Sequence, residues 1–261
     1  MIKLIVSDID GTLVPEGSHE INPELFSVIL ELKDRGIQFA AASGRHWSSV
    51  DKVFAPIRKR IFYIADNGGF IGVYNRSLFL KTIPNDVARA FIRDMKKVPG
   101  MDIVISSPEV AYMDSKSREF LDWINDGYLY DVRLVDDVEN VDDEILKVAC
   151  YYEGGLDEIA ERAETQYGAY GNVTISGKAW MDFIPQDVNK GWALKVLQDS
   201  LNIKPEETMV FGDQLNDMEM MKQAYYSFAV AGAREEVRRT ARFQADRSER
   251  DGVLKVLKCL L

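Results

Sequence analysis

The first 42 residues alternate strand and helix patterns, and this order constrains the fold more than any other feature of the sequence. Residues 2–6 form a short, β-branched apolar run closed by polar residues and a glycine, which is typical of a strand buried in a parallel sheet. Residues 22–35 place apolar side chains at helical spacing before Gly36, and residues 37–42 predict a second strand. Strand, helix and strand in this order form a βαβ unit, which indicates a parallel sheet.

The middle of the chain has a different pattern. After a predicted strand and hairpin, helices and short strands alternate over residues 85–185, which favours a separate α+β unit. From residue 189 the regular order of helix and strand returns. We therefore predict an α/β fold with a doubly wound, Rossmann-like parallel core, residues 1–84 and 186–261, interrupted by an inserted α+β cap, residues 85–185.

Composition excludes several classes of protein. With 42 acidic and 32 basic side chains among 261 residues, the formal net charge is -10, which argues against a nucleic-acid or anionic-membrane surface. An anionic ligand must therefore be bound at a small, dedicated site. No stretch approaches the roughly 20 apolar residues of a membrane span. The two cysteines show no metal-ligand spacing, and the N-terminal apolar run is too short for a signal peptide, so we expect a cytoplasmic protein.

Two carboxylates follow the first predicted strand. Asp8 and Asp10 lie two residues apart, so on an extended chain both face one crevice at the strand's carboxyl end, where open parallel sheets bind ligands. The pair suits a hard metal ion or a nucleophile with an acid/base partner, and Gly11 lets the backbone curl so that carbonyl oxygens contribute. A turn or calcium loop is the alternative, but an EF-hand requires glycine at the sixth position, where Leu13 stands.

A second acidic segment follows a later strand. Asp213 also lies at the carboxyl end of a predicted strand, so it can supply a third oxygen donor to a cation of the size of magnesium. Asn216 and Asp217 fall in the first turn of the next helix, where simple capping is the alternative role.

Two further positions favour an anion. Ser43 and Gly44 follow the second strand and offer a hydroxyl and backbone N–H groups to a phosphoryl oxygen. Lys190 opens a helix, where a cation opposes the macrodipole, and this placement indicates a bound anion unless the side chain is simply solvated. His46 and Trp47, which follow this loop, are predicted to have a surface or packing role at a helix start.

In this order and spacing, the chain resembles the haloacid dehalogenase-like phosphatase superfamily. Asp-Ile-Asp-Gly-Thr at residues 8–12 matches the first motif of that superfamily, Ser43 the second, Lys190 the third and Gly-Asp-Gln-Leu-Asn-Asp at residues 212–217 the fourth. The gap between the first two motifs is too short for a cap, whereas the stretch between Arg45 and Lys190 holds one. That placement resembles the Cof-type group, subfamily IIB, with a C2B cap.

The resemblance implies a mechanism. Asp8 would attack phosphorus to form an aspartyl-phosphate, and Asp10 would protonate the leaving alkoxide and then activate water. Mg²⁺ would be held by an Asp8 oxygen, the Asp10 backbone carbonyl and Asp213, with Asp217 supporting the site. The phosphate-binding residues would be Thr12, Ser43, Gly44, Lys190 and Asn216.

The expected activity is Mg²⁺-dependent hydrolysis of a small phosphorylated metabolite, with no nucleic-acid or membrane partner. Phosphoryl transfer of the phosphomannomutase kind is one alternative on the same scaffold. A non-catalytic phosphate-binding protein is another. No motif identifies the substrate, so sugar phosphates, polyol phosphates, nucleotides and pyridoxal phosphate all stay open.

Overall fold

The computed structural model describes residues 1–261 and contains fourteen strands and nine α-helices. The strands are β1 (Leu4–Ser7), β2 (Gln38–Ala42), β3 (Phe62–Ala65), β4 (Phe70–Val73), β5 (Arg76–Leu80), β6 (Asp102–Ser106), β7 (Ala111–Met113), β8 (Val132–Leu134), β9 (Lys147–Tyr151), β10 (Gly171–Ile175), β11 (Trp180–Pro185), β12 (Thr208–Gly212), β13 (Tyr226–Val230) and β14 (Phe243–Ala245). The α-helices are α1 (Pro23–Asp34), α2 (Trp47–Val53), α3 (Asn85–Met95), α4 (Arg118–Asp122), α5 (Asp157–Tyr167), α6 (Lys190–Leu201), α7 (Met218–Gln223), α8 (Glu235–Thr240) and α9 (Gly252–Lys258).

The larger sheet has eight strands in the order β14-β13-β12-β1-β2-β3-β4-β5. Its first six strands pair in parallel, and only β4 and β5 pair antiparallel at one edge. β1 lies at the centre, with Leu4, Ile5 and Val6 almost fully buried, because helices cover both faces of a doubly wound sheet. The predicted parallel α/β core is confirmed.

The smaller sheet has six strands in the order β10-β11-β9-β6-β7-β8, and all its pairs but β7 with β8 are antiparallel. It has its own hydrophobic cluster, which includes Phe91 from α3, Ile159 from α5 and Phe183 from β11. This sheet and the elements packed on it are called the cap below, and the rest of the chain the core. The predicted α+β insertion is confirmed as a fold, whereas the division at residues 84/85 and 185/186 stays a prediction.

Local structure departs from the sequence prediction at three places. The sequence pattern predicts one helix over residues 116–125, but the structure has the short α4 followed by a π-helical turn, Trp123–Gly127. The sequence pattern predicts a helix over residues 215–224, and in the structure this segment starts as a 3-10 turn before α7. The six acidic residues among residues 136–144 predict a solvated loop, but Val138 and Val141 are buried in the cap cluster.

The two units are in close contact. Leu146 from the cap packs into the core cluster, and Leu215 from the core packs against the cap cluster. The carboxyl ends of β1, β2 and β12 lie side by side at the edge that faces the cap. No helix combines the length and the apolarity that a membrane span requires.

Candidate active site

The carboxyl ends of β1 and β12 bring three acidic residues together. The Asp8 N–H donates to the carbonyl of Phe211 at 3.0 Å, which extends the pairing of β1 with β12 by one residue. As a result, carboxylate oxygens of Asp8, Asp213 and Asp217 all lie within 4.8 Å of one another, and all three residues are buried. The sequence predicted that Asp8 and Asp213 would meet because parallel strands end at one edge of a sheet, and it placed Asp217 in the first turn of the helix that follows.

Lys190 neutralises part of this charge. Its Nζ lies 2.6 Å from Asp8 Oδ1 and 2.7 Å from Asp217 Oδ1, and its side chain is fully buried. Burial alone would lower the pKa of Lys190, but Asp217 and Asp8 outweigh it and raise the pKa above its ordinary value. Lys190 is therefore a buried cation held by two carboxylates, and the solvated alternative is excluded.

The remaining negative charge is not balanced by protein groups. Burial raises the pKa of Asp8 to about 7, with Lys190 opposing the shift and Asp217 and Asp10 adding to it. Burial and the neighbouring Asp8 also raise the pKa of Asp213 well above its usual range. Asp8 Oδ2 is buried and has no hydrogen-bond partner. An unpartnered carboxylate oxygen beside a second carboxylate, both with raised pKa values, is a donor set that fits a divalent cation.

Gly11 allows this arrangement. Its φ of +82° lies in the left-handed region, and a Cβ at this position would collide with Asp213 Oδ2. The loop after β1 therefore packs directly on the carboxylate of Asp213. Thr12 contributes from the same loop, because its hydroxyl donates to Asp213 Oδ1 at 3.0 Å.

Asp217 positions the other groups. Its Oδ1 binds Lys190, and its Oδ2 accepts from the backbone N–H groups of Asp213 at 2.9 Å and Gln214 at 3.1 Å. Helix capping, the alternative role predicted from the sequence, therefore accounts for the contacts of Oδ2 but not for the contact of Oδ1 with Lys190. Both oxygens already have protein partners, which distinguishes Asp217 from Asp8 within the acidic cluster.

The side chain of Asp10 lies outside this cluster and is held by Arg45. The Arg45 guanidinium donates from Nε to Oδ2 at 2.8 Å and from Nη2 to Oδ1 at 2.7 Å. Arg45 is only 2% exposed, and it also donates to the backbone carbonyls of Ser18 and Tyr128. The sequence motifs assign no role to Arg45, although its position directly after Ser43 and Gly44 at a strand end is a signal that could have identified it.

Among the phosphate-binding residues predicted from the sequence, Thr12 and Lys190 contact the acidic cluster, and Gly44 and Asn216 line the same cleft as Asp8. Ser43 is buried, and its Oγ accepts from the Arg45 N–H at 3.1 Å. Asn216 donates from Nδ2 to Asn67 Oδ1 at 2.8 Å, makes no hydrogen bond to Lys190, and has a buried Oδ1 with no partner. Their contacts with phosphate, like those of Thr12, Gly44 and Lys190, stay predictions.

A buried polar network joins the cap to this loop, and sequence reasoning missed it. Lys147, at the start of β9, donates to the carbonyl of Gly44 and lies 3.6 Å from Asp182 Oδ1 and 3.8 Å from Asp66 Oδ1. Asp182 in turn accepts a hydrogen bond from the Asn67 amide. Burial raises the pKa of Asp66, although His46 and Lys147 oppose the shift. No spacing in the sequence signals this network, because it forms only where the two units meet.

His46 and Trp47 have packing roles. His46 is fully buried and caps the N-terminus of α2, and its Nε2 lies 2.9 Å from the carbonyl oxygen of Ser107. Trp47 stacks on Phe70 with ring centroids 5.7 Å apart. Packing, one of the two predicted roles, therefore describes both residues, and a surface position for His46 is wrong.

A narrow cleft lies between the core and the cap. Asp8, Asp10 and Arg45 line it from the core, and Tyr128 and Trp180 line it from the cap. A small molecule in this cleft would contact both the acidic cluster and the aromatic side chains of the cap.

The family follows from a match along nearly the whole chain. The family model of haloacid dehalogenase-like hydrolases matches residues 5–257. The chain belongs to this family. The predicted resemblance is therefore confirmed, and the acidic cluster described above lies at the motifs that carried it.

Known proteins agree with this assignment. The Escherichia coli (strain K12) protein named 5-amino-6-(5-phospho-D-ribitylamino)uracil phosphatase YbjI is 28% identical, and the match covers 100% of this chain and 96% of that protein. A crystal structure from Eubacterium rectale superposes with a TM-score of 0.84 at 34% identity, covering 100% of this chain and 99% of that one. The prediction that the chain is a phosphatase of this family is confirmed, because its relatives are named phosphatases.

The structure described as the HAD subclass IIB sugar phosphatase BT4131 superposes with a TM-score of 0.82 at 22% identity, covering 99% of this chain and 98% of that one. At this identity the likeness shows a common fold, including the inserted α+β unit.

Proposed function

We propose that this protein is a Mg²⁺-dependent phosphomonoesterase that hydrolyses a small phosphorylated metabolite through an aspartyl-phosphate on Asp8. One observation carries the proposal: the buried carboxylate of Asp8 faces the cleft with one oxygen held by Lys190 and the other without a partner. A carboxylate oriented in this way, beside a cation and a second acid, suits nucleophilic attack on phosphorus.

In the first step, a carboxylate oxygen of Asp8 forms a bond to phosphorus while the bond from phosphorus to the leaving oxygen breaks. Asp10 donates its proton to that leaving oxygen, so the alcohol departs neutral. Lys190 remains bound to Asp8 and stabilises the negative charge on the transferring group. The ion pair with Arg45 holds the Asp10 carboxyl in one orientation at the cleft.

In the second step, Asp10 accepts a proton from water as the water oxygen bonds to phosphorus. The bond between phosphorus and Asp8 then breaks, which releases inorganic phosphate and restores both carboxyl groups. Asp8 and Asp213 would hold Mg²⁺ together with the backbone carbonyl of Asp10, and the ion would offset the repulsion between the carboxylate and the phosphate dianion.

Other parts of the proposal depend on family membership and composition. The substrate class follows the named relative, whose substrate is a small phosphorylated molecule. We assign residues 85–185 to the cap that covers the site and the remaining residues to the catalytic core. The net charge of -10 argues against nucleic-acid and anionic-membrane partners. We also propose a cytoplasmic location, as expected from the sequence.

The substitution Asp8→Asn tests the proposal. It removes the nucleophile while keeping the size of the side chain, so phosphate release from an aryl phosphate should fall by about a thousandfold or more. Asp126→Asn, at an exposed position in the cap, is the matched control and should keep wild-type turnover. Turnover by a folded Asp8→Asn variant within tenfold of wild type would contradict the assignment of the nucleophile.

A further inference from the structure

The two cations that line the cleft are already paired. Arg45 holds both oxygens of Asp10 and donates to two backbone carbonyls. The Lys147 ammonium donates to the carbonyl of Gly44, and it forms ion pairs with Asp182 at 3.6 Å and Asp66 at 3.8 Å. A further anion at either side chain would compete with these buried partners for the positive charge, and the loss of a buried partner is costly.

Carboxylates outnumber cations along the same surface. Asp8, Asp10, Glu16 and Asp182 line the cleft, against Arg45 and Lys147. Lys190, bound to Asp8, adds positive charge only at the end where phosphorus would react. Away from Asp8, the lining is therefore negative.

The cap side of the cleft is largely aromatic and firmly held. Trp180 Nε1 donates to the hydroxyl oxygen of Tyr128 at 3.0 Å, and the two rings meet at 83° with centroids 5.8 Å apart. Trp123 stacks behind Trp180 at an interplanar angle of 19°. Val104 and Ile124 complete this apolar surface.

From these contacts we infer that the leaving-group side of the cleft binds an uncharged group packed on Trp180 and Tyr128, and that it excludes substrates carrying a second phosphate or a carboxylate. The inference rests on the proposed phosphatase function. A second anion in the cleft would face Asp182 or Glu16 at close range with no unpaired cation to meet it, and like charges in a partly desolvated site repel strongly. A transfer reaction that passes through a sugar bisphosphate would place a second phosphate there, so this surface favours hydrolysis of monoesters.

Matched pairs of substrates test the inference. 4-Carbamoylphenyl phosphate and 4-carboxyphenyl phosphate have nearly the same shape, but the leaving group of the second carries a negative charge. Fructose 6-phosphate and fructose 1,6-bisphosphate form a second pair, which differs by one added phosphate. We expect kcat/KM for phosphate release to be about tenfold higher for the member of each pair whose leaving group is uncharged. Equal or higher values for the charged members would overturn the inference. Absence of Mg²⁺-dependent release from every substrate would instead contradict the proposed function.

Two variants test the physical cause. Asp182→Asn removes one carboxylate from beside Lys147 and should reduce the preference for the uncharged aryl phosphate severalfold, whereas Asp126→Asn should leave it unchanged. Glu16→Gln removes a carboxylate from the core side of the cleft, where Glu16 is half-buried, and should have the same effect. This variant decides the question if circular dichroism shows that Asp182→Asn does not fold. An unchanged preference in the folded variants would overturn the conclusion that negative charge in the cleft causes the preference.

Trp180→Ala tests the aromatic surface. It should lower the ratio of kcat/KM for 4-carbamoylphenyl phosphate to that for acetyl phosphate, and an unchanged ratio would overturn the conclusion that the leaving group packs on Trp180.

Discussion

The guanidinium of Arg45 binds both carboxylate oxygens of Asp10, at 2.8 and 2.7 Å, and both residues line the cleft. Such a two-point contact fixes the plane of the carboxyl group as well as its position. Asp10 is the acid and base of the proposed reaction, so Arg45 acts on the chemistry through the orientation of another side chain.

Arg45→Lys should therefore lower kcat by about 10- to 100-fold, because a lysine cannot hold both oxygens in one plane. KM should change much less, since the nucleophile and the acidic cluster are untouched. Arg118→Lys, at an exposed ion pair with Asp122, is the control and should behave as wild type. A change confined to KM would indicate that Arg45 binds substrate instead.

Divalent-cation binding should depend on pH. The pKa of Asp8 in the metal-free fold is raised to about 7, so below this pH a proton occupies the carboxylate that the cation needs. The affinity for Mg²⁺ should fall as pH decreases from 8 to 6 and level off at higher pH. Calorimetric titration at several pH values measures this, and a constant affinity over this range would contradict it.

The raised pKa of Asp8 also makes the stability of the metal-free fold depend on pH, and this stability decreases as pH rises, whereas the affinity for Mg²⁺ increases. An aspartate whose pKa is higher in the folded state favours folding when protonated, so its unfavourable contribution is greatest above pH 7 and decreases as pH falls towards 3.8. Mg²⁺ should therefore raise the melting temperature more at pH 8 than at pH 6. Asp8→Asn should reduce this difference, which ties it to the Asp8 carboxylate.

Lys190→Met should destabilise the fold by about 3–5 kcal/mol, because it leaves Asp8 and Asp217 buried without their counterion. Urea denaturation measures the loss. Lys195→Met, on an exposed face of the same helix, is the control and should cost less than about 1 kcal/mol. Adding Asp8→Asn to Lys190→Met should recover part of the stability, and strict additivity of the two changes would show that the charges do not interact.

Gly11→Ala should weaken Mg²⁺ binding and destabilise the fold, since the new Cβ would collide with Asp213 in addition to being strained at positive φ. Gly36→Ala is a close control, because Gly36 has a φ of +87° but no atom within 4 Å of the added Cβ. It should cost about 1–2 kcal/mol from the backbone alone and leave the cation affinity unchanged. Equal cation affinities in the two variants would contradict the role of the contact with Asp213.

The sequence predicted those parts of the site that depend on local order. Asp8 and Asp213 each follow an apolar strand, and parallel strands bring their carboxyl ends together whatever the details of packing. Lys190 was identified because a cation at a helix start needs a nearby anion, and the structure provides Asp8 and Asp217.

The parts that were missed depend on how the core and the cap meet. Lys147 opens β9 and Asp182 lies within β11, where their spacing resembles that of ordinary strand residues. Their pairing depends on the antiparallel register of β9 with β11 and on the approach of the loop at Gly44. No periodicity in the chain encodes that approach. The helix that the sequence predicts over residues 116–125 changes to a π-helical turn for a reason within the cap, because this turn places Trp123 against Trp180.

The bond between Lys147 and the carbonyl of Gly44 joins a side chain of the cap to the main chain of the core. Any separation of the two units would carry the ammonium away from Gly44 and Asp66 and expose it to water. Re-closure would strip that hydration shell again. Hydration and dehydration of one lysine would thus accompany each opening and closing of the cleft, which would couple the rate of substrate binding to the solvation of a group that takes no part in the chemistry.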